Sequence, residues 1–377
     1  MFLLTILGIL SLGAWIFLAF FHSSFWMLLF PEPVSMPTET PSVDIIVPMR
    51  NEALMLPKTL PSLLKQDYQG SWRIILVDDD STDHSAEIAE SIAKDLNKSD
   101  KITILKAPPL KHEWLGKVAA MDFGVQHSDA ELILFTDADI YHKKNSLADL
   151  VAGAEDRKID LLSRMSRLNN ASTPENLLIP AFVFFFSLLY PFRQVNNPYS
   201  KIAAAAGGTM LIRRVVLESI GGLEVIKSKI IDDCSLAKVV KDNGFQIELT
   251  LTNDIISVRP YNSIHSLSTM ISRTAYTQLE YSPINLAKVV IAMFLLFIVP
   301  AFLLAFGVMS KFLLLLSILI VLCMSFLYAP MVQFYYLPLF WVLSLPFAAF
   351  IYMVATIDSA RLYVKGKGGQ WKDRFQA

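Results

Sequence analysis

Between Lys288 and Asp358 the chain carries one charge, Lys311. No soluble core needs an apolar tract of that length. About 20 apolar residues cover the roughly 30 Å hydrocarbon layer of a bilayer. The tract from Leu286 to Ile357 therefore predicts three membrane helices, near 288–307, 312–330 and 334–357. The breaks fall at Gly307 to Lys311 and near Pro330. A second such run, Phe2 to Phe21, is apolar apart from Thr5 and Ser11. It reads as a retained anchor, because no Lys or Arg precedes Arg50 and a cleaved signal starts with positive charge. The rest must be wet. The 377 residues include 33 basic and 34 acidic ones, which predicts one soluble domain of roughly 200–250 residues tied to a membrane. A net charge of −1 gives no electrostatic case for nucleic acid. Cys234 and Cys323 cannot make a disulfide framework, which suits a reducing compartment.

The predicted organisation is an anchor over 1–30, a Pro-rich linker over 31–42, a catalytic α/β domain over 43–262, interfacial helices over 263–285, membrane helices over 286–357 and a basic tail over 358–377. The tail (Arg361, Lys365, Lys367, Lys372, Arg374) favours a cytoplasmic C-terminus. Three full crossings after a cytoplasmic domain would place it outside, so one segment falls short or the charge rule fails. A further apolar stretch, Leu177 to Phe192, is short for a crossing. Its run of Phe shows no polar face, and it reads as an interfacial helix rather than a core one.

From Val43 strands and helices alternate. DIIVPM, WRIILVDD, KITILKA and ELILFTDAD read as strands, and 52–66, 84–96 and 116–127 as helices. That alternation predicts a mainly parallel, Rossmann-like sheet flanked by helices. In such sheets ligands bind at the carboxyl ends of strands.

Three acidic clusters sit near such positions. Asp78, Asp79, Asp80 and Asp83 follow the second strand. Capping of the next helix explains one of them, whereas carboxylates there can accept hydrogen bonds from a nucleobase or ribose. Asp137 and Asp139 follow the fourth strand. Two acids one residue apart can hold a hard divalent cation whose shell phosphate oxygens complete. Asp232 and Asp233 open a further helix. There they either complement the helix dipole or supply a base for an incoming hydroxyl. Lys117, in Trp114-Leu115-Gly116-Lys117, opens a helix whose free N–H groups suit a phosphate. Gly207 and Gly208 end a small-residue segment that permits close approach. Arg273, Tyr276, Gln278 and Tyr281 precede the apolar tract as an acceptor entrance or an interfacial anchor.

The ordered set VPMRNEA, VDDDSTD, TDAD and IDD before a helix resembles family 2 glycosyltransferases of GT-A fold, over about Val43 to Pro283. The layout is also similar to ceramide glucosyltransferases. LLIPAFVFFFSLLYPFRQVN, AAAAGGTMLIRR and RTAYTQLEYSP resemble the hopanoid-biosynthesis-associated group. The resemblance implies that Asp78 and Asp79 bind the uridine of a UDP-sugar and that Asp139, with Asp137, holds Mg²⁺ or Mn²⁺. It implies Asp233 as catalytic base and Lys117 near the donor's nucleotide or diphosphate. Asp232, Gly207, Gly208, Arg273, Tyr276 and Gln278 fall on the acceptor side. Where many members carry (Q/R)xxRW, Tyr276 and Thr277 replace the Arg and Trp, which argues against long-polymer synthesis.

The expected activity is inverting transfer of a single sugar to a lipid hydroxyl, hopanoid or isoprenoid, at the cytoplasmic face of the inner membrane. The alternatives are a nucleotidyl or phospho-sugar transferase and a non-catalytic nucleotide-binding scaffold or transporter. A transporter expects charges along its pathway, and residues 289–357 hold only Lys311. No pattern specifies an oligomeric state.

Overall fold

The run Val43–Met49 is buried along its whole length, as a strand covered on both faces must be. It is β1. In this computed structural model, which describes residues 1–35, 40–307 and 310–368, β1 lies between two parallel partners. These are β2 (Trp72–Asp78) and β4 (Leu132–Phe135). β3 (Ile102–Lys106) adds in parallel outside β2. Beyond β4 come β7 (Met210–Arg213), β6 (Leu161–Arg167), β8 (Ile247–Ser257) and β5 (Ile140–His142). The β4–β7, β6–β7 and β5–β8 pairs are antiparallel, and β6–β8 is parallel. The fold is thus α/β, with a parallel Rossmann-like half, β3-β2-β1-β4, joined to a mixed half.

β1 pairs on its two sides with strands that come after it by different crossovers, so its carboxyl end is a topological switch point. Two antiparallel registers bring further chain to that edge. Phe135 pairs with Met210, so the residues just before β7, Gly207 and Gly208, arrive where β4 ends. Ile140 pairs with Ser257, so the end of β8 arrives beside Asp139, whose carbonyl accepts the Val258 N–H at 2.9 Å. Ile45, Leu60, Ile74, Leu134 and Leu150 are among the side chains that fill the core beneath, each worth about 1.5–3 kcal/mol on burial.

The chain divides into two compact units. The sheet unit comprises residues Leu29–Asn169 and Gln194–Arg259. The helical unit takes the remaining segments, Met1–Leu28, Asn170–Arg193 and the chain after Arg259.

Several elements differ from their sequence expectation. The helix expected over 52–66 runs only over Leu56–Leu64. Asn51 has φ +53°, and the N–H groups of Glu52 and Ala53 go to Ser85 Oγ and Asp83 Oδ2 rather than into a helix. β4 stops at Phe135, and Asp137 to Ile140 form a turn closed by the Ile140 N–H on the Asp137 carbonyl. The stretch read as an interfacial helix over 177–192 is a helix over Thr173–Leu189, started by a capping box between Ser172 and Glu175. Pro180 lies inside it rather than at its end, and Leu178, Ile179, Ala181, Val183 and Phe184 are buried. It is therefore a core helix of its unit. The Tyr352 hydroxyl donates to the Leu178 carbonyl, and the Phe184 ring packs edge-on to Tyr328.

Among the described residues, four helices of the helical unit are long and apolar enough to cross a membrane: Phe2–Phe20, Pro283–Phe306, Lys311–Phe334 and Leu339–Val364. The last three start earlier or end later than expected, and the third carries Asp358 and Arg361 within it rather than in a tail. Within Pro283–Phe306 a wider turn, Phe294–Ile298, loosens the backbone ladder. There the Leu296 carbonyl accepts the buried Trp15 indole N–H at 2.9 Å. Gly8 permits close helix approach, since a Cβ there would stand 2.5 Å from Leu316 Cδ2. Of the predicted linker, residues 36–39 lie outside the described residues, as do Lys372 and Arg374 of the predicted tail.

Candidate functional site

The four acids after β2 divide by task. Asp78 Oδ1 accepts the Ser81 N–H at 3.0 Å, which holds the turn. Asp83 accepts from the Ala53 and Ser85 N–H groups and the Ser85 hydroxyl. Burial pushes its carboxyl up, but these hydrogen bonds outweigh it and hold the carboxyl below its usual range. Asp80 is exposed with φ +59°. Asp79 alone is buried and lines a cavity. That cavity is a cleft of about 120 Å³ whose walls include Pro108, Leu110, Trp114, Asp122 and Phe123. An apolar and aromatic slot with a carboxylate at one end suits a flat ring bearing N–H donors. Sequence reading missed these walls, although the Pro-Pro and Trp of the loop before Gly116 were the available signal.

A second group centres on Lys117, the second residue of the helix Gly116–Gln126. Its Nζ lies 3.0 Å from Asp137 Oδ1 and 3.2 Å from Asp232 Oδ2. One lysine thus joins the turn after β4 to the start of the helix Asp232–Asp242, though the two acids are far apart in sequence. Burial disfavours its charge, yet Asp137, Asp232 and Asp233 outweigh burial and hold the ammonium above its usual range. Asp233 accepts the Gly207 N–H on Oδ2 at 2.8 Å and the Cys234 N–H on Oδ1 at 2.7 Å. Gly207 leaves room for this contact. A Cβ there would stand 3.2 Å from Lys117 Nζ and 3.3 Å from Asp233 Oδ2. Burial first, then the Asp232 charge, push Asp233 up to about 6, against Lys117 and the two N–H groups. That value suits a proton acceptor working near neutrality. The helix carrying Asp233 is anchored by Lys241, whose buried ammonium donates to the carbonyls of Gln194, Val195 and Ile202.

A third group was not visible in the sequence. Arg259, just past β8, donates from Nε to Asp139 Oδ2 at 2.5 Å. Its Nη2 reaches both oxygens of the buried Glu52 at 2.7 and 2.8 Å. Asp137 and Asp139 therefore each face a different cation. Burial, ahead of the lowering effect of Lys117, raises the Asp137 carboxyl. Among the described residues no three His, Cys, Asp or Glu side chains converge on one point. A divalent cation here would thus have two carboxylates and draw its remaining oxygens from phosphate and water. The donor set, hard oxygens at a strand end, fits such an ion.

Arg273, Tyr276 and Gln278 belong to the helical unit. Arg273 is exposed. Tyr276 is buried, with its N–H on Ser359 Oγ at 3.0 Å, and Gln278 Nε2 donates to the Tyr190 hydroxyl at 2.6 Å. Gly208 lies in the sheet unit, its carbonyl accepting from Thr136 and Thr209.

Residues 44–221 match the model described as "Glycosyl transferase family 2". A probable glycosyltransferase of Bacillus subtilis, YdaM, is 26% identical over 215 residues, covering 55% of this chain and 49% of the relative. A beta-monoglucosyldiacylglycerol synthase of Nostoc is 26% identical over 197 residues, covering 52% and 40%. The chain thus spans half or less of the length of these relatives. A mannosyltransferase from Pyrobaculum calidifontis, solved with GDP-Man and Mn²⁺, superposes with a TM-score of 0.55 at 17% identity, covering 94% of this chain and 99% of that one. At that identity the likeness shows the fold, GT-A in kind. Residues 44–221 thus carry a match to glycosyl transferase family 2 on a sheet of GT-A kind.

Proposed function

We propose that the chain is a membrane-bound glycosyltransferase that moves one sugar, with inversion, from a nucleotide-sugar to a lipid hydroxyl. One observation carries this reading. Lys117 draws the acid after β4 and the acids opening the helix Asp232–Asp242 into one cluster at the sheet's switch point. A donor-side and an acceptor-side carboxylate then stand on the same edge.

Asp79 and the cleft beside Trp114 take the nucleobase, with UDP the donor nucleotide expected from the motifs. Asp139, with Asp137, would hold Mg²⁺ or Mn²⁺, whose charge would offset that building on the departing diphosphate. Lys117 places an ammonium beside the same acids and can pass from them to phosphate oxygens. Asp233, near pKa 6, accepts the proton of the attacking hydroxyl from the face opposite the leaving group. Asp232 shares Lys117 and keeps Asp233's proton affinity up. Gly207 holds the carboxylate, and Gly208 lies next in the same segment. Arg273, Tyr276 and Gln278 serve the acceptor side. Apolar helices flanking the domain in sequence suit an acceptor dissolved in the bilayer, which cuts the entropic cost of the encounter. The named activity of the Nostoc relative, a lipid glucosylation, supports the acceptor class. The hopanoid resemblance makes a triterpenoid alcohol the first acceptor to try. The domain is placed at the cytoplasmic face of the inner membrane, where nucleotide-sugars are made.

The test is to incubate the purified chain in detergent with bacterial lipid extract and Mg²⁺ or Mn²⁺. The donor panel is UDP-glucose, UDP-galactose, UDP-N-acetylglucosamine and GDP-mannose. Nucleotide release and the lipid mass gain are measured together. One sugar-sized gain with nucleoside diphosphate release, lost in Asp233→Asn, supports the reading. Release of pyrophosphate instead points to a nucleotidyl transferase, and saturable nucleotide binding without turnover points to a binding module.

A further inference from the structure

A chain of buried hydrogen bonds runs from the interior of the sheet unit to the Gly207 segment that holds Asp233. Thr136, the first residue after β4, is 1% exposed. Its Oγ1 lies 2.7 Å from the Gly208 carbonyl and 2.9 Å from His142 Nε2. A hydroxyl has one proton, and a carbonyl can only accept. The proton therefore goes to Gly208, and Thr136 must accept from His142. This fixes the histidine as the Nε2–H tautomer, leaving a lone pair on Nδ1. Ser146 Oγ stands 3.3 Å from that Nδ1 and can fill it. Gln66 Oε1, also 3.3 Å from Ser146, already takes the Leu147 N–H. His142 is itself buried, and burial holds its ring down at about 3, so it stays neutral at any working pH. The Thr136 hydroxyl and the His142 ring thus each have one assignment.

The row ends on a segment that β6 also ties, since the Thr209 carbonyl accepts the Ser163 hydroxyl at 2.9 Å and the Arg164 N–H at 3.2 Å. Thr209 also donates to the Gly208 carbonyl, but that bond lies inside the segment and cannot locate it. Ser163, from β6, ties the other end by accepting the Ala206 N–H. Beyond the ladder pair of Phe135 with Met210, Thr136 adds a side-chain tie from the end of β4, the strand that leads into Asp137.

We propose that Thr136, oriented by His142, is a positioning residue that sets the Gly207 N–H against the Asp233 carboxylate. Asp233 is thereby held in register with the acids after β4. This rests on the reading of Asp233 as base.

The experiment uses the full chain in detergent with the same donor panel, lipid extract and Mn²⁺. Thr136→Val keeps the shape and removes both hydrogen bonds; Thr136→Ser keeps the hydroxyl. Thr136→Val is expected to lower kcat on the order of 10- to 100-fold with donor KM unchanged, because small misplacements of a reacting group cost that much. Thr136→Ser is expected to recover kcat to within about threefold of the parent, on the same misplacement scale. Equal kcat in Thr136→Val and the parent, or equal loss in both variants, overturns the proposal. Retention of turnover in Asp233→Asn instead overturns the reading of the base. Independently of turnover, ¹⁵N spectra of the parent are expected to show His142 neutral with its proton on Nε2. A proton on Nδ1 also overturns the proposal.

Discussion

Asp137 and Asp139 stand two residues apart in one turn, yet they are held in opposite ways. Asp137 faces Lys117, a compact point charge that also reaches Asp232. Asp139 faces Arg259, a planar fork whose other arm grips Glu52 with both oxygens. A lysine can be traded between acids and phosphate oxygens by small rotations of its stem, whereas a guanidinium fork fixes two carboxylates in one geometry. The contrast separates an exchangeable side of the turn from a clamped side. The exchangeable side adjoins the candidate base.

The sharpest break of that comparison is Asp233→Asn. Turnover is expected to fall by about 10²–10⁴-fold, the range for loss of a general base, while nucleotide affinity by calorimetry stays unchanged. Lys117→Met comes next. It removes the cation that Asp137, Asp232 and Asp233 share, and kcat is expected to drop at least about tenfold. It also moves the pH profile. In the parent, kcat should fall as pH drops through about 6, when Asp233 takes up a proton. Lys117 lowers that value, so its loss should shift the acid limb upward, read from kcat between pH 5 and 8.

The clamped side predicts a smaller effect of opposite sign. Arg259→Gln removes a resident cation from Asp139, so Mn²⁺ counted by electron paramagnetic resonance should bind more tightly, by about tenfold. That is a fraction of the roughly 4 kcal/mol between unit charges 4 Å apart near a protein surface. Glu52 and Asp139 lose their partner at the same time, so the thermal midpoint should fall. Glu52→Gln is the mildest change. Arg259 then loses the charge of Glu52 but keeps Asp139, and Mn²⁺ binding should weaken by about twofold to threefold on the same scale. Loss of metal binding in Arg259→Gln would erase the distinction between the two sides.

Much of the parallel half was legible because β1 to β4 carry apolar runs separated by helix-length segments, and β2 and β4 run into acids. The mixed half was not. β5 has three residues and β7 has four, too short for periodicity to declare them. The clusters at strand ends were also legible, but their division of labour was not. Asp78, Asp79 and Asp83 differ only in which N–H groups lie near them, and folding decides that. The pairing of Glu52 with Arg259 bridges 207 residues and carries no local pattern. The helix read from Leu177 starts a turn earlier, at the capping box of Ser172 and Glu175, which lies outside the apolar run.

The chain alternates between the two units, with the helix Thr173–Leu189 of the helical unit lying in sequence between β6 and β7 of the sheet unit. This arrangement has a consequence for biosynthesis. Asp79, Lys117, Asp137 and Asp139 emerge from the ribosome before that excursion, and Gly207, Asp233 and Arg259 emerge after it. A nascent chain halted near residue 195 could pair β1 to β4 and line the cleft beside Trp114. It would still lack the candidate base and the clamp on Asp139. Synthesis order therefore lets the donor half form first and withholds the transfer half until a helix of the other unit has been made.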